Sequence, residues 1–204
     1  MNNVGSTILN LGSGKIKPLG IEENQPYFLV NLDNGYYGGA EPSVVQYLYY
    51  QWLEPDIISP KPNKVIFVKE DAFTFLEKYP LLFDKIVIYG FLEHIPKRDV
   101  LYFIYLLACN LKEGGEVDCI VPDYEALAHM ILSEEVFSKD FEQRDIIIST
   151  ELLNEVSSPH ASIWTKDRIK KFFELEQRFK AGKIITSFNF DGRDIYIRAI
   201  IERV

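Results

Sequence analysis

Cysteine is scarce: the 204 residues hold two, Cys109 and Cys119, each inside an apolar segment, YLLACNL and EVDCIVP. That placement matches neither a zinc ligand pair nor a redox motif, so both are expected to be small buried hydrophobes. Only three histidines occur, and no two of them share a metal-motif spacing with a carboxylate, so no metal site is expected. No stretch approaches the roughly 18 uncharged apolar residues of a membrane-spanning helix. Residues 1–15 lack both the basic start and the apolar run of a signal peptide, so a soluble, cytoplasmic protein is expected. A surplus of basic charge is missing as well. The 22 Lys and Arg face 30 Asp and Glu, a net charge of −8, which argues against a protein held on nucleic acid by phosphate neutralisation.

What remains is the composition of a folded chain, with 47% hydrophobic and 14% aromatic residues and no repeat, low-complexity tract or linker. One domain over 1–204 is expected. Its segments alternate. Thr7 to Leu11, Phe28 to Leu32, Val65 to Val68, Lys85 to Tyr89 and Val117 to Val121 are short apolar runs ending in small, acidic or turn-forming residues. Such runs suit buried parallel strands. Helical spacing marks Ser43 to Leu53, Lys97 to Leu111, and a segment from the N-cap Thr165 to about Phe179. Gly114-Gly115 reads as a turn ahead of the fifth strand. Near the C-terminus, Ile184 to Phe190 and Ile195 to Ile201 are joined only by Asp191-Gly192-Arg193, too short for anything but an antiparallel hairpin. The expected fold is α/β, a Rossmann-like, mostly parallel sheet with helices on both faces and an antiparallel C-terminal hairpin strand.

In open α/β sheets, ligands bind beyond the carboxyl ends of the strands, where the strand order reverses. The residues at those ends are Gly12-Ser13-Gly14, Asp33-Asn34, Asp71-Ala72 and Gly90-Phe91-Leu92-Glu93-His94. Glycines let a backbone approach a ligand closely. Asp33 follows Gly12 by 21 residues, where a carboxylate can accept from both hydroxyls of a ribose; its ordinary structural reading is the turn-opening Asp of Asp-Asn-Gly. The dinucleotide fingerprint fails, because Lys17 stands where its third Gly belongs and Pro18 follows. The P-loop fails at Ile16, after Gly14-Lys15. A nucleoside without a pyrophosphate fits better.

These residues resemble the class I S-adenosylmethionine-dependent methyltransferases, whose seven-stranded sheets carry an antiparallel last strand. The resemblance is greatest to small predicted methyltransferases with Leu-Asn-Leu-Gly-x-Gly near the N-terminus, met here as Leu9-Asn10-Leu11-Gly12-Ser13-Gly14. It continues in order through Phe91-Leu92-Glu93-His94-Ile95, Leu111-Lys112-Glu113-Gly114-Gly115, Val121-Pro122-Asp123 and His160-Ala-Ser-Ile-Trp164-Thr165. The resemblance implies S-adenosyl-L-methionine as cofactor. Leu11 to Gly14 would lie along its methionine portion, and Asp33 and Asn34 beside the ribose. Asp71 would accept from the adenine amine, Ala72 and Phe73 would line the ring pocket, and Gly90, Phe91 and Leu92 would pass beneath the sulfonium. Asn10 replaces the family's usual acidic residue, and Lys112-Glu113 its usual Lys-Pro; an Asn can still orient the loop through hydrogen bonds.

A hydroxyl acceptor must lose a proton during transfer, which a nearby base provides. His94, beyond the fourth strand, is the first candidate, its alternative role being to orient that loop. His160 is the second, on a segment expected to fold back over the cleft. His129, on an expected helix, reads as structural. Residues 124–160 exceed what a crossover needs and are expected to add acceptor specificity. The tyrosines at 36, 37, 47, 49 and 50 with Trp52 can line an acceptor pocket or pack helix against sheet. The expected acceptor is a small-molecule or glycan-like hydroxyl; oligomeric state is not legible. A non-catalytic scaffold subunit, favoured by Asn10, and a nicotinamide-dependent oxidoreductase, disfavoured by the failed fingerprint and the terminal hairpin, are the competing readings.

Overall fold

The computed structural model describes residues 5–12, 27–33, 64–79, 83–132, 160–190 and 193–204. Five strands come first: β1 (Ser6–Leu11), β2 (Tyr27–Asp33), β3 (Lys64–Lys69), β4 (Phe83–Tyr89) and β5 (Leu111–Pro122). β6 (Phe179–Phe190) and β7 (Arg193–Arg203) close the chain. The described helices are α1 (Ala72–Lys78), α2 (Val100–Asn110), α3 (Tyr124–Leu132) and α4 (Lys166–Leu175), with a 3-10 turn at Leu92–His94. The strands form one seven-stranded sheet in the order β3-β2-β1-β4-β5-β7-β6. β1 to β5 pair in parallel, and β7 runs antiparallel to both β5 and β6.

Alternation along the strands explains why the runs are apolar throughout. Leu9 and Leu11 of β1 and Ile86 and Ile88 of β4 join a core shared with Phe75 of α1, Phe103 of α2 and Phe173 of α4. Their neighbours Ile8, Val87 and Tyr89 join a second cluster with Leu127 of α3. A strand buried on both sides has no position to spare for a polar residue unless that residue is paired. Asn10 is such a case. It is 1% exposed and its Nδ2 donates to Oδ1 of Asn31, its register partner on β2, at 2.9 Å.

Several boundaries differ from expectation for local reasons. Gly114-Gly115 does not precede β5 but lies within it. Leu111 pairs with Phe83 and Glu116 with Lys85, so five steps on β5 face two on β4 and the excess bulges out at Gly114, with φ 74°. α4 starts as expected, with Thr165 Oγ1 accepting from the Arg168 N–H at 3.3 Å, but ends at Leu175, and Phe179 opens β6. Cys119 is buried, whereas Cys109 is only half-buried. It sits at the outer edge of α2, where Arg178 Nη1 donates to its Sγ at 3.5 Å while lying over the Tyr105 ring. The expected helix Ser43 to Leu53 and residues 133–159 lie outside the described residues.

Two polar clusters tie the strands together. At the amino end, the Thr7 N–H and Oγ1 both donate to Asp84 Oδ2 at 2.7 Å, and Lys112 Nζ reaches both Asp84 oxygens at 2.9 Å. In the sheet interior, Asp118 of β5 is met by Arg198 of β7 and by Lys85 and Tyr89 of β4. Among the described residues no helix is long and apolar enough to cross a membrane.

Candidate active site

β2 and β3 lie to one side of β1, and β4 lies to the other. The strand order therefore reverses between β1 and β4, and in open α/β sheets ligands bind beyond the carboxyl ends of the strands at such a point. Gly12 and Gly90 stand there with φ of 62° and 63°, in the left-handed region that glycine enters without steric cost. Gly12 has a second constraint, because a Cβ on it would meet Phe91 Cδ2 at 2.6 Å. The ends of β1 and β4 thus touch through a side chain resting on bare backbone. Gly90 is fastened by its N–H donating to the Ile120 carbonyl of β5 at 2.9 Å.

Leu11 pairs with Leu32, which puts Gly12 and Asp33 at adjacent strand ends. Leu11 is fully buried. Asp71 is exposed and caps α1, with Oδ1 accepting from the Thr74 N–H at 3.1 Å and from its hydroxyl at 3.3 Å. Ala72 is buried, while Phe73 is half-buried and packs against Phe103 at 5.4 Å and Tyr102 at 6.3 Å between centroids. Phe91 also packs on Phe103, at 5.8 Å, and Leu92 is wholly in the core. Ser13, Gly14 and Asn34 lie outside the described residues, as do the aromatics from 36 to 52. His129 is exposed on α3.

The fold also unites residues that their spacing kept apart. The 3-10 turn after β4 carries Glu93 and His94, and the segment entering α4 carries His160. Two backbone bonds join them: the Ala161 and Ser162 N–H groups both donate to the Glu93 carbonyl, at 2.8 and 2.9 Å. Ser162 Oγ donates to the Leu92 carbonyl at 3.2 Å. Trp164, fully buried and edge-on to Phe172 at 5.6 Å, anchors the segment from its far side. Its carbonyl accepts from the Tyr124 N–H at 3.1 Å, at the start of α3.

The result is a compact polar group. The His94 and His160 rings meet edge to face at 5.0 Å, and Tyr124 Oη lies 2.7 Å from His160 Nδ1. Glu93 is 3% exposed, and ligand atoms of Glu93, His94 and His160 all lie within 4.8 Å of one another. Burial, followed by the charge of His94, holds His160 down to about 4, so its imidazole is neutral at physiological pH. Sequence reasoning singled out His94, with Glu93 beside it at a strand end, and His160 on a segment expected to fold back over the cleft, but missed the phenol of Tyr124. The only signal lay in the order of the motifs, since Tyr124 and His160 each flank one end of the 124–160 span.

No protein-family model matches the chain, and no curated protein matches it in sequence. Solved structures do match it in three dimensions. The 1,6-didemethyltoxoflavin-N1-methyltransferase of Burkholderia thailandensis, crystallised with 1,6-didemethyltoxoflavin and S-adenosylhomocysteine, aligns over 98% of this chain and 71% of its own, with a TM-score of 0.58 and 11% identity. The N-methyltransferase NodS of Bradyrhizobium japonicum, crystallised with S-adenosylhomocysteine, aligns over 98% and 79%, with a TM-score of 0.52 and 10% identity. An S-adenosylmethionine-dependent methyltransferase of Methanosarcina mazei aligns over 98% and 92%, with a TM-score of 0.55 and 17% identity. The chain shares the fold of these methyltransferases.

Proposed function

We propose that this chain is an S-adenosylmethionine-dependent methyltransferase acting on the hydroxyl of a small-molecule or glycan-like acceptor. In this reading it is a Rossmann-like domain with helices on both faces of the sheet, and residues 124–160 serve the acceptor side. The observation that carries it is the meeting of Gly12 and Phe91 at the point where the strand order reverses, in a sheet of methyltransferase type. Two neighbours of the same fold hold S-adenosylhomocysteine, which supports a cofactor of that chemistry.

The residues fit such a ligand. Leu11, Gly12, Ser13 and Gly14 would follow the methionine portion through backbone groups, and Asp33 and Asn34 would hold the ribose. Asp71 would offer Oδ2 to the adenine amine while Oδ1 keeps its cap, and Ala72 and Phe73 would line the ring. Gly90, Phe91 and Leu92 would pass beneath the sulfur. Bound there, the cofactor supplies an electrophilic methyl group on a cationic sulfur. The protein's part is chiefly to hold the acceptor oxygen in line with it, and positioning of that kind lowers a barrier by about 7–11 kcal/mol. His94 accepts the acceptor's proton. His160, too weak a base at neutral pH, orients the acceptor instead.

The scaffold reading rested on Asn10, whose amide is used in the cross-strand bond to Asn31 and so has a structural reason to be there. Asp33→Ala should weaken S-adenosylhomocysteine binding by about 1.5–3 kcal/mol, the scale of a hydrogen bond to a charged group. Calorimetric titration of variant and wild type checks this; equal affinities would remove Asp33 from the site.

A further inference from the structure

We propose that Glu93, His94 and His160 form a binding site for a single divalent transition-metal ion, taken through two imidazole nitrogens and one carboxylate oxygen. The inference goes beyond the methyl-transfer reading and stands without it, since it rests on the placement of three side chains.

Two histidines and one carboxylate are a common three-ligand set for zinc, leaving a position for water or substrate, and the same mixed set suits manganese and cobalt. The three ligand atoms already lie within 4.8 Å of one another. With metal–ligand distances of about 2.0–2.2 Å, a tetrahedral site spaces its ligand atoms by about 3.4 Å. Their spacing exceeds that of a bound tetrahedron by no more than about 1.4 Å, so closing onto an ion needs shifts of about an ångström.

The backbone already joins the two segments. The bonds from Ala161 and Ser162 to the Glu93 carbonyl fix the segment bearing His160 against the turn bearing the other two ligands, independently of any rotamer. The cluster therefore does not depend on chance proximity of flexible side chains.

Histidines that bind metals characteristically use their second nitrogen to hydrogen-bond a protein group, which fixes the ring and its tautomer. Tyr124 Oη stands 2.7 Å from His160 Nδ1 and can accept from it in the tautomer that carries the proton on Nδ1, in which Nε2 holds the lone pair a metal requires. Glu93 adds the negative charge, at 3% exposure, where a neighbouring cation offsets the cost of taking a carboxylate out of water.

An ion there would change the division of labour at the site. His94 would be a ligand and no longer a base, and the acceptor oxygen would bind the cation, whose charge lowers the pKa of a bound hydroxyl so that its proton leaves to solvent.

The test uses the full chain, stripped with a chelator and titrated separately with zinc, cobalt and manganese chloride, with calorimetry and elemental analysis giving affinity and stoichiometry. The expected result is one ion per chain for at least one of the three metals. A tenfold or greater loss of affinity is expected in His94→Ala and in His160→Ala, and wild-type affinity in His129→Ala. Tyr124→Phe keeps the ligands and the packing and should bind roughly ten- to a hundredfold more weakly. Absence of stoichiometric binding of all three metals at millimolar concentration would overturn the proposal, as would wild-type affinity in a folded His94→Ala/His160→Ala double variant. S-adenosylhomocysteine titrated into the same samples separates the two readings: metal bound without it removes the methyltransferase reading alone, and the reverse removes the metal site alone.

Discussion

Asp118→Asn is expected to lower the stability of the protein by about 3–5 kcal/mol, the range for breaking a buried ion pair by removing one partner. The Asp118 side chain is fully buried in the middle of β5. Arg198 of β7 grips both its oxygens, at 3.0 and 2.8 Å, while Tyr89 Oη donates at 2.8 Å and Lys85 Nζ lies at 3.0 Å, both from β4. An amide in this place still fills the space but leaves two cations, 23% and 18% exposed, without their shared counter-charge. Lys85 keeps a second partner, Glu116 at 2.9 Å, so the lower part of the range is expected. Denaturant unfolding at neutral pH measures the loss, and a change under 1 kcal/mol would mean the network contributes little.

The same residue sets a pH dependence. Burial alone would raise the pKa of Asp118, but the bonds from Arg198, the charge and bond of Lys85 and the Tyr89 hydroxyl outweigh it, so the folded value lies below the ordinary 3.8. A group whose pKa is depressed by folding stabilises fully above its unfolded pKa and loses that contribution as the pH falls through the folded value. Stability of the wild type should therefore fall more steeply below pH 4 than that of Asp118→Asn. The network also matters to the site, because it locks β4 to β5 and β7 just below the loops that carry Glu93, His94 and Tyr124.

His94→Gln should reduce methyl transfer by about 10²–10⁴-fold, the range for loss of a general base. The side chain projects from the 3-10 turn after β4, half-buried against His160, and belongs to no core cluster. Its removal should leave the fold and the affinity for S-adenosylhomocysteine intact while turnover drops. Turnover within about threefold of wild type would take His94 out of the chemistry. A chelator distinguishes its two possible roles: a His94 that acts as a base keeps the wild-type rate after metal removal, and a His94 that acts as a ligand does not.

How far these features can be read in the chain depends on how local their causes are. β1 to β5 were legible because each holds a short, mostly apolar run, and because each run stops near a residue that favours a turn or a cap. The terminal hairpin was legible from the length of its connection alone. α1 was not expected, since seven residues give less than two full periods of helical pattern, and its cap Asp71 reads equally as a ligand residue. The early start of β6 escaped because Lys180, Gly182 and Lys183 face solvent and interrupt the apolar pattern. At the site, Gly12 and Gly90 were legible through their position at strand ends. The contact of Gly12 with Phe91 was not, nor was the union of Glu93, His94 and His160. Hydrogen bonds between segments 69 and 70 residues apart create the closeness of the histidines, Tyr124 meets His160 across 36 residues, and no spacing rule encodes either.

The central claim is that the site at the carboxyl ends of β1 and β4 binds the nucleoside of S-adenosylmethionine. Calorimetric titration of the wild-type chain with S-adenosylhomocysteine tests it most directly. Saturable binding with one molecule per chain, undiminished by NADH, is expected. No detectable binding at millimolar ligand, or binding that NADH displaces, would contradict it.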